Sequence, residues 1–289
     1  MSFSSPTTRP SLTPRARRRL VIGALVAALL AMGALASSAT ASNGPKHHRH
    51  HHARPTIVLV HGAWADGSGW TKVVKRLQHE GYPVRVPPNP LRSLPDDSAT
   101  LKSFLGTIAG PIVLVGHSYG GAVITNAATG DPDVKALVYV DAFAPDKGET
   151  IFPLVGAGSA LAADPATLFD AVPYPGGPAG DVDLYLKKSV FLTSFANGVP
   201  PREAKALYAT QRPFALSAGS QPAGEPAWRT IPSWYLLGTR DLIITPEAQR
   251  SMAERAGSTI KEVRAGHLSL VSHPGAVVRL IVKAVRATR

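Results

Sequence analysis

The sequence predicts a wound α/β fold, a mostly parallel sheet flanked by helices with a helical cap inserted late in the chain. Three observations carry this expectation. Short β-branched apolar runs recur, helix-like segments separate most of them, and one long stretch breaks the alternation. With 44% hydrophobic and 17% charged residues, the 289-residue chain can bury a sizeable core, which excludes disorder of the whole.

Thr56 to Val60 reads Thr-Ile-Val-Leu-Val and has no polar face, as a strand covered on both sides of a parallel sheet requires. Similar runs stand at Val84 to Val86, Ile112 to Val115, Leu137 to Val140, Tyr235 to Leu237 and Thr259 to Val263. Helix-like segments fall at Trp70 to His79, Ser98 to Ile108, Ala122 to Ala128, Pro246 to Ala256 and Gly275 to Ala287. Pro246 suits a first helical position, with Thr245 as its N-cap. Pro145 to Ile231 is rich in Ala, Pro and Gly and holds far more chain than one crossover needs. A structureless loop of that length does not belong in a compact domain. Helix-like pieces at Val182 to Thr193 and Arg202 to Gln211 make it instead a cap at about 146–231, inserted within a domain spanning 55–289.

Residues 1–41 read as an export signal. Arg9, Arg15, Arg17, Arg18 and Arg19 form a positive region, Leu20 to Ala36 an apolar one, and Ala39, Thr40 and Ala41 a cleavage pattern. The apolar stretch falls short of the ~20 residues of a membrane span and is diluted by Gly23 and Gly33. Cleavage after Ala41 is therefore expected, with Ala34 to Ala36 a second possible site. Membrane contact would come only through an uncleaved signal. Arg17 to Val21 resembles a twin-arginine signal, and the expected location is secreted or cell envelope. Residues 42–54, with His47, His48, His50, His51 and His52, read as a solvated His-rich linker. Of the +12 net charge, five units lie in the leader, where no acid precedes residue 42; the other basic residues are scattered among acidic ones. No nucleic-acid partner is expected. The absence of cysteine excludes disulfides, thiolate nucleophiles and Cys-held metals.

The chemistry begins at Gly116-His117-Ser118-Tyr119-Gly120-Gly121, a G-x-S-x-G run between a buried strand and a helix. In that context the sharp turn lifts the Ser118 hydroxyl above the sheet edge, and glycines let neighbouring backbone approach. A serine hydroxyl needs a base, and the base a carboxylate to orient it. Only His267 and His273 follow Ser118. His267 sits in the turn after the last strand, at the edge where Ser118 stands, whereas His273 marks the start of the final helix. Two carboxylates end strands, Asp241 after the penultimate one and Asp141 after Leu137 to Val140. Asp241 is preferred, and Asp141 remains open as the acid. The oxyanion donors are expected to be the backbone N–H groups of Tyr119 and of Ala63, in the loop His61-Gly62-Ala63-Trp64, with His61 bracing that loop. Trp64 and Phe143 from the core, with aromatic residues of the cap, would line an apolar pocket.

Val60-His61-Gly62-Ala63-Trp64, Gly69-Trp70, Gly116 to Gly121 and Gly266-His267 together resemble the α/β-hydrolase superfamily. The likeness is to the branch of plant methyl-ester esterases, hydroxynitrile lyases and bacterial pyrethroid-hydrolase-like esterases. It spans Pro55 to Arg289 and implies Ser118 as nucleophile, His267 as base, Asp241 as acid and Ala63 with Tyr119 as oxyanion donors. It implies no metal or other cofactor. Lyases of the branch are expected to need a lysine near the serine. Lys147 is the nearest in sequence to a pocket strand but is not convincingly placed, so a serine esterase acting on a small carboxylic ester is the expected function. Lyase-like or other chemistry, or a non-catalytic ligand-binding role, is the alternative. The oligomeric state is not legible.

Overall fold

The computed structural model describes residues 54–288, so the leader 1–41 and nearly all of the His-rich run 42–54 lie outside the described residues. Six strands form one sheet: β1 (Thr56–Val60), β2 (Val84–Arg85), β3 (Ile112–His117), β4 (Val134–Val140), β8 (Ser233–Gly238) and β9 (Thr259–Val263). Their order is β2-β1-β3-β4-β8-β9 and every pairing is parallel. All six residues of β3 and of β8 are buried, which is why their sequences carry no alternation. β9 lies at an edge and is mostly exposed; its Lys261 and Glu262 are the charges that discourage further strand pairing.

Helices connect most of the strands, α1 (Thr71–His79), α2 (Leu94–Leu105), α3 (Tyr119–Ala127) and α5 (Pro246–Arg255), and α6 (Pro274–Ala287) follows the last one. Thr245 caps α5, its side chain accepting the Ala248 N–H ahead of Pro246 in the first turn. α6 buries Val277, Val278, Ile281, Val282 and Val285 against the sheet. α2 begins earlier than the sequence suggests. Ser93 accepts the Asp96 N–H and Pro95 fits the first turn, so the helix starts at Leu94, not Ser98. α3 likewise starts directly behind Ser118. Among the described residues no helix is long and apolar enough to cross a membrane.

The segment between β4 and β8 contains helix, including α4 (Pro201–Ala209), and also a three-stranded antiparallel sheet. β6 (Asp183–Leu186) is its centre, between β5 (Phe169–Val172) and β7 (Phe214–Ala215). The expectation of a helix over Val182 to Thr193 is corrected here. Its first half is β6, and only Lys188–Val190 and a π-helical turn at Phe191–Phe195 are helical. The reason is non-local: the ladder partners of β6 lie elsewhere in the chain, and they override its local propensity.

Candidate active site

Because every strand of the main sheet points the same way, the loops after β1, β3, β4, β8 and β9 converge at one edge. Ser118 follows β3 there with φ 52° and ψ −127°, a conformation costing a non-glycine residue about 1–3 kcal/mol. Hydrogen bonds hold it. The N–H groups of Gly121 and Phe143 both donate to the Ser118 carbonyl, at 2.9 and 3.1 Å. A Cβ on Gly120 would stand 2.6 Å from the Val60 carbonyl oxygen, and one on Gly116 2.5 Å from that of Gly120. The two glycines of the motif are thus required by close backbone approach.

Ser118 Oγ lies 2.9 Å from His267 Nε2, and His267 Nδ1 lies 2.8 Å from Asp241 Oδ2. Asp241 Oδ1 accepts the N–H groups of Ile243 and Ile244, and its Oδ2 accepts Gln249 Nε2. With a carboxylate on one side, the imidazole proton resides on Nδ1, leaving Nε2 to accept from the serine. Ser118, His267 and Asp241 are 2%, 0% and 2% exposed. Burial pushes His267 down to about 3, favouring the neutral imidazole a base requires.

The structure brings Asp241, and not Asp141, to His267. Asp141 Oδ2 accepts the Ser269 N–H at 3.2 Å, while its Oδ1 has no hydrogen-bond partner. Burial raises both carboxyls, and the neighbouring Asp241 raises Asp141 further. Four donors surround Asp241, including His267 Nδ1, so its carboxylate form is the better supported of the two. His273 stands at the N-cap of α6, as its place before Pro274 suggests.

Tyr119 opens α3 and has no carbonyl one turn earlier to receive its N–H. The loop after β1 is fixed by His61. The Asn89 N–H donates to His61 Nε2 at 3.0 Å, so Nδ1 carries the proton and donates to the Gly62 carbonyl, also at 3.0 Å. A trans peptide directs its N–H opposite to its carbonyl, so this bond turns the Ala63 N–H the other way. A Cβ on Gly62 would stand 2.6 Å from that of Ser118. Gly62→Ala is accordingly expected to slow labelling of Ser118 by a fluorophosphonate at least ~10-fold by displacing the serine; an unchanged labelling rate would contradict the packing.

A cavity abuts the site through His117 and Phe195 and is walled by Trp64, Phe191, Leu207 and Val271. Asp66 is the one Asp, Glu, Lys or Arg in its lining. Trp64 lines it as the sequence suggests. Phe143 does not line this cavity; it contributes its backbone N–H to Ser118 instead. Lys147 lies away from it, paired with Glu225 at the surface. His117 is a further buried neighbour, its Nε2 2.9 Å from the His267 carbonyl oxygen and its ring 4.8 Å from that of His267. Burial, then the adjacent His267, hold it well below the usual range. Gln249 and Asn89 carry no local signature. Gln249 could have been suspected only from its place one turn after the Thr245 cap. Among the described residues no three His, Cys, Asp or Glu side chains converge as metal ligands.

A parallel sheet with a strained serine behind a central strand, hydrogen-bonded to a buried His–Asp pair, defines the class of α/β hydrolases. A profile of the alpha/beta hydrolase family matches residues 57–280, and the chain belongs to that family. It is 34% identical over 112 residues to a carbendazim hydrolyzing esterase of Nocardioides sp. (strain SG-4G); the match covers 34% of this chain and 46% of that enzyme. It is 28% identical over 237 residues to a pyrethroid hydrolase of Sphingobium wenxiniae, covering 75% of this chain and 83% of the relative. The fold is shared with a crystal structure of a polyneuridine aldehyde esterase mutant, at TM-score 0.67 and 18% identity, over 79% of this chain and 98% of the other.

Proposed function

We propose that this chain is a serine esterase that cleaves a small carboxylic ester through an acyl-enzyme. The observation that carries the reading is the unbroken sequence of hydrogen bonds from Ser118 Oγ through His267 to Asp241 within a buried site. His267 Nε2 takes the Ser118 proton as Oγ adds to the ester carbonyl carbon. The developing oxyanion is met by the N–H groups of Ala63 and Tyr119, each worth on the order of 3 kcal/mol in the transition state. Collapse of the intermediate expels the alcohol, which leaves with the proton from His267. Water then repeats the sequence on the acyl group, with His267 again taking the proton, and releases the acid. Asp241 holds the Nδ1 proton and stabilises the imidazolium throughout.

Esterase and hydrolase activities among the relatives support this reading. The cavity carries apolar and aromatic walls and no lysine, which favours an apolar ester over lyase chemistry. The segment at about 146–231 serves as the cap over this site, and residues 1–41 as a cleaved export signal followed by a His-rich linker at 42–54. N-terminal sequencing of exported protein tests the leader, and an intact N-terminus would contradict it.

Turnover of p-nitrophenyl esters of several acyl lengths tests the reaction; a folded protein silent on all of them would be a ligand-binding member of the fold. The pH profile provides a second check. A base acts only when neutral, and burial holds His267 below its ordinary 6.5. As pH falls, kcat/KM is therefore expected to stay level through 6.5 and decline only at more acid values. A decline already complete at 6.5 would contradict the burial of the base.

A further inference from the structure

The reacting groups are covered in this conformation. Ser118 and His267 are almost fully buried, and the adjoining cavity offers only about 20 Å³ to solvent, room for about one water molecule. The π-helical turn Phe191–Phe195 forms part of the cover, its Phe195 ring standing 5.1 Å from that of His267 and 5.9 Å from that of Trp64. Outward movement of this turn would widen the cavity.

Two residues beyond Phe195, one side chain joins the loops that carry the acid and the base. Asn197 Nδ2 donates to the Arg240 carbonyl at 2.7 Å, immediately before Asp241. Asn197 Oδ1 accepts the N–H of His267 at 3.4 Å. The fit is tight: a Cβ on Gly266 would collide with both the side-chain and the backbone oxygen of Asn197. The Ala196 N–H donates to the Phe191 carbonyl at 2.8 Å, and the Val199 N–H to that of Ala196 at 3.1 Å, so Phe195 and Asn197 belong to one hydrogen-bonded unit.

We propose that Asn197 is a positioning residue through which the inserted segment aligns His267 with Asp241, so that the two loops are registered only while Phe195 is seated over the site. The inference rests on the esterase reading. A carboxamide supplies one donor and one acceptor, as the Arg240 carbonyl and the His267 N–H require. Lifting Phe195 to admit an ester withdraws the amide from both. The base and acid are fully aligned again when the segment returns over bound substrate, which ties chemistry to a closed site.

The test uses full-length protein and a p-nitrophenyl ester that the parent hydrolyses; no turnover by the parent would defeat the esterase reading, not this one. Asn197→Leu keeps the side chain's size and loses both hydrogen bonds. It should lower kcat roughly 10- to 100-fold with KM within about twofold, because alignment matters after binding. Asn197→Asp keeps an acceptor and adds an anion near His267, whose titratable neighbours are Asp241, His117 and, by way of Ser269, Asp141. An added anion favours the imidazolium, so the acid limb of kcat/KM should move to higher pH. Thermal unfolding of both variants identifies one that has not folded; the other then decides. A kcat within twofold of the parent in folded Asn197→Leu, or an unmoved acid limb in folded Asn197→Asp, overturns the proposal.

Discussion

Ser118→Ala is expected to lower turnover of a p-nitrophenyl ester by roughly 10⁴- to 10⁶-fold and to abolish labelling by a fluorophosphonate. The hydroxyl has no substitute. Among the described residues the other hydroxyl groups lack this hydrogen bond to a buried imidazole, and His267 Nε2 would lose its partner at 2.9 Å. Alanine fits the space and keeps the backbone bonds from Gly121 and Phe143, so the fold should survive, as an unchanged thermal midpoint would show. Residual rate would reflect binding and the two backbone donors alone. Peptide mapping of the labelled parent should place the adduct on Ser118. A folded variant that keeps its rate, or an adduct elsewhere, would remove the nucleophile from the mechanism.

The second large effect is expected at Asp241. Asp241→Asn retains the shape but sets an amide donor where a carboxylate oxygen accepts from both His267 Nδ1 and Gln249 Nε2. The amide would draw the imidazole into the wrong tautomer, with its proton on Nε2 facing the serine, and a loss near 10⁴-fold in kcat is expected. Asp141→Asn replaces a carboxyl that burial already holds well above its ordinary range with an amide of the same shape. Its carbonyl can still accept the Ser269 N–H, so kcat should stay within about tenfold of the parent. The assignment of the acid fails if Asp141→Asn is crippling and Asp241→Asn is mild.

The comparison of these two aspartates shows where sequence reading reaches its limit. Both end parallel strands at the same edge, and the one local sign that favours Asp241 is the helix beginning at Pro246 behind its loop. What separates them is the chain after β8, which folds back so that the N–H groups of Ile243 and Ile244 and the Gln249 amide surround one carboxylate. β6 illustrates the same limit in the fold. Asp183 to Leu186 pass for helix until Phe169–Val172 and Phe214–Ala215 supply the ladder. Phe143 differs again, because its contribution is a backbone N–H and its aromatic side chain gives no hint of that.

The amino-acid sequence by itself determined the parallel sheet, the turn that bears Ser118 and the position of His267 after the last strand. Each is a local pattern: unbroken apolar runs arise where both strand faces are covered, and glycines stand where backbones touch. Tertiary structure alone decided which carboxylate meets the imidazole, which tautomer His61 adopts, and that Asn197 spans the two loops. Those outcomes depend on donors and acceptors brought together from distant parts of the chain, and hydrogen bonding over a few ångströms leaves no periodic trace along a sequence.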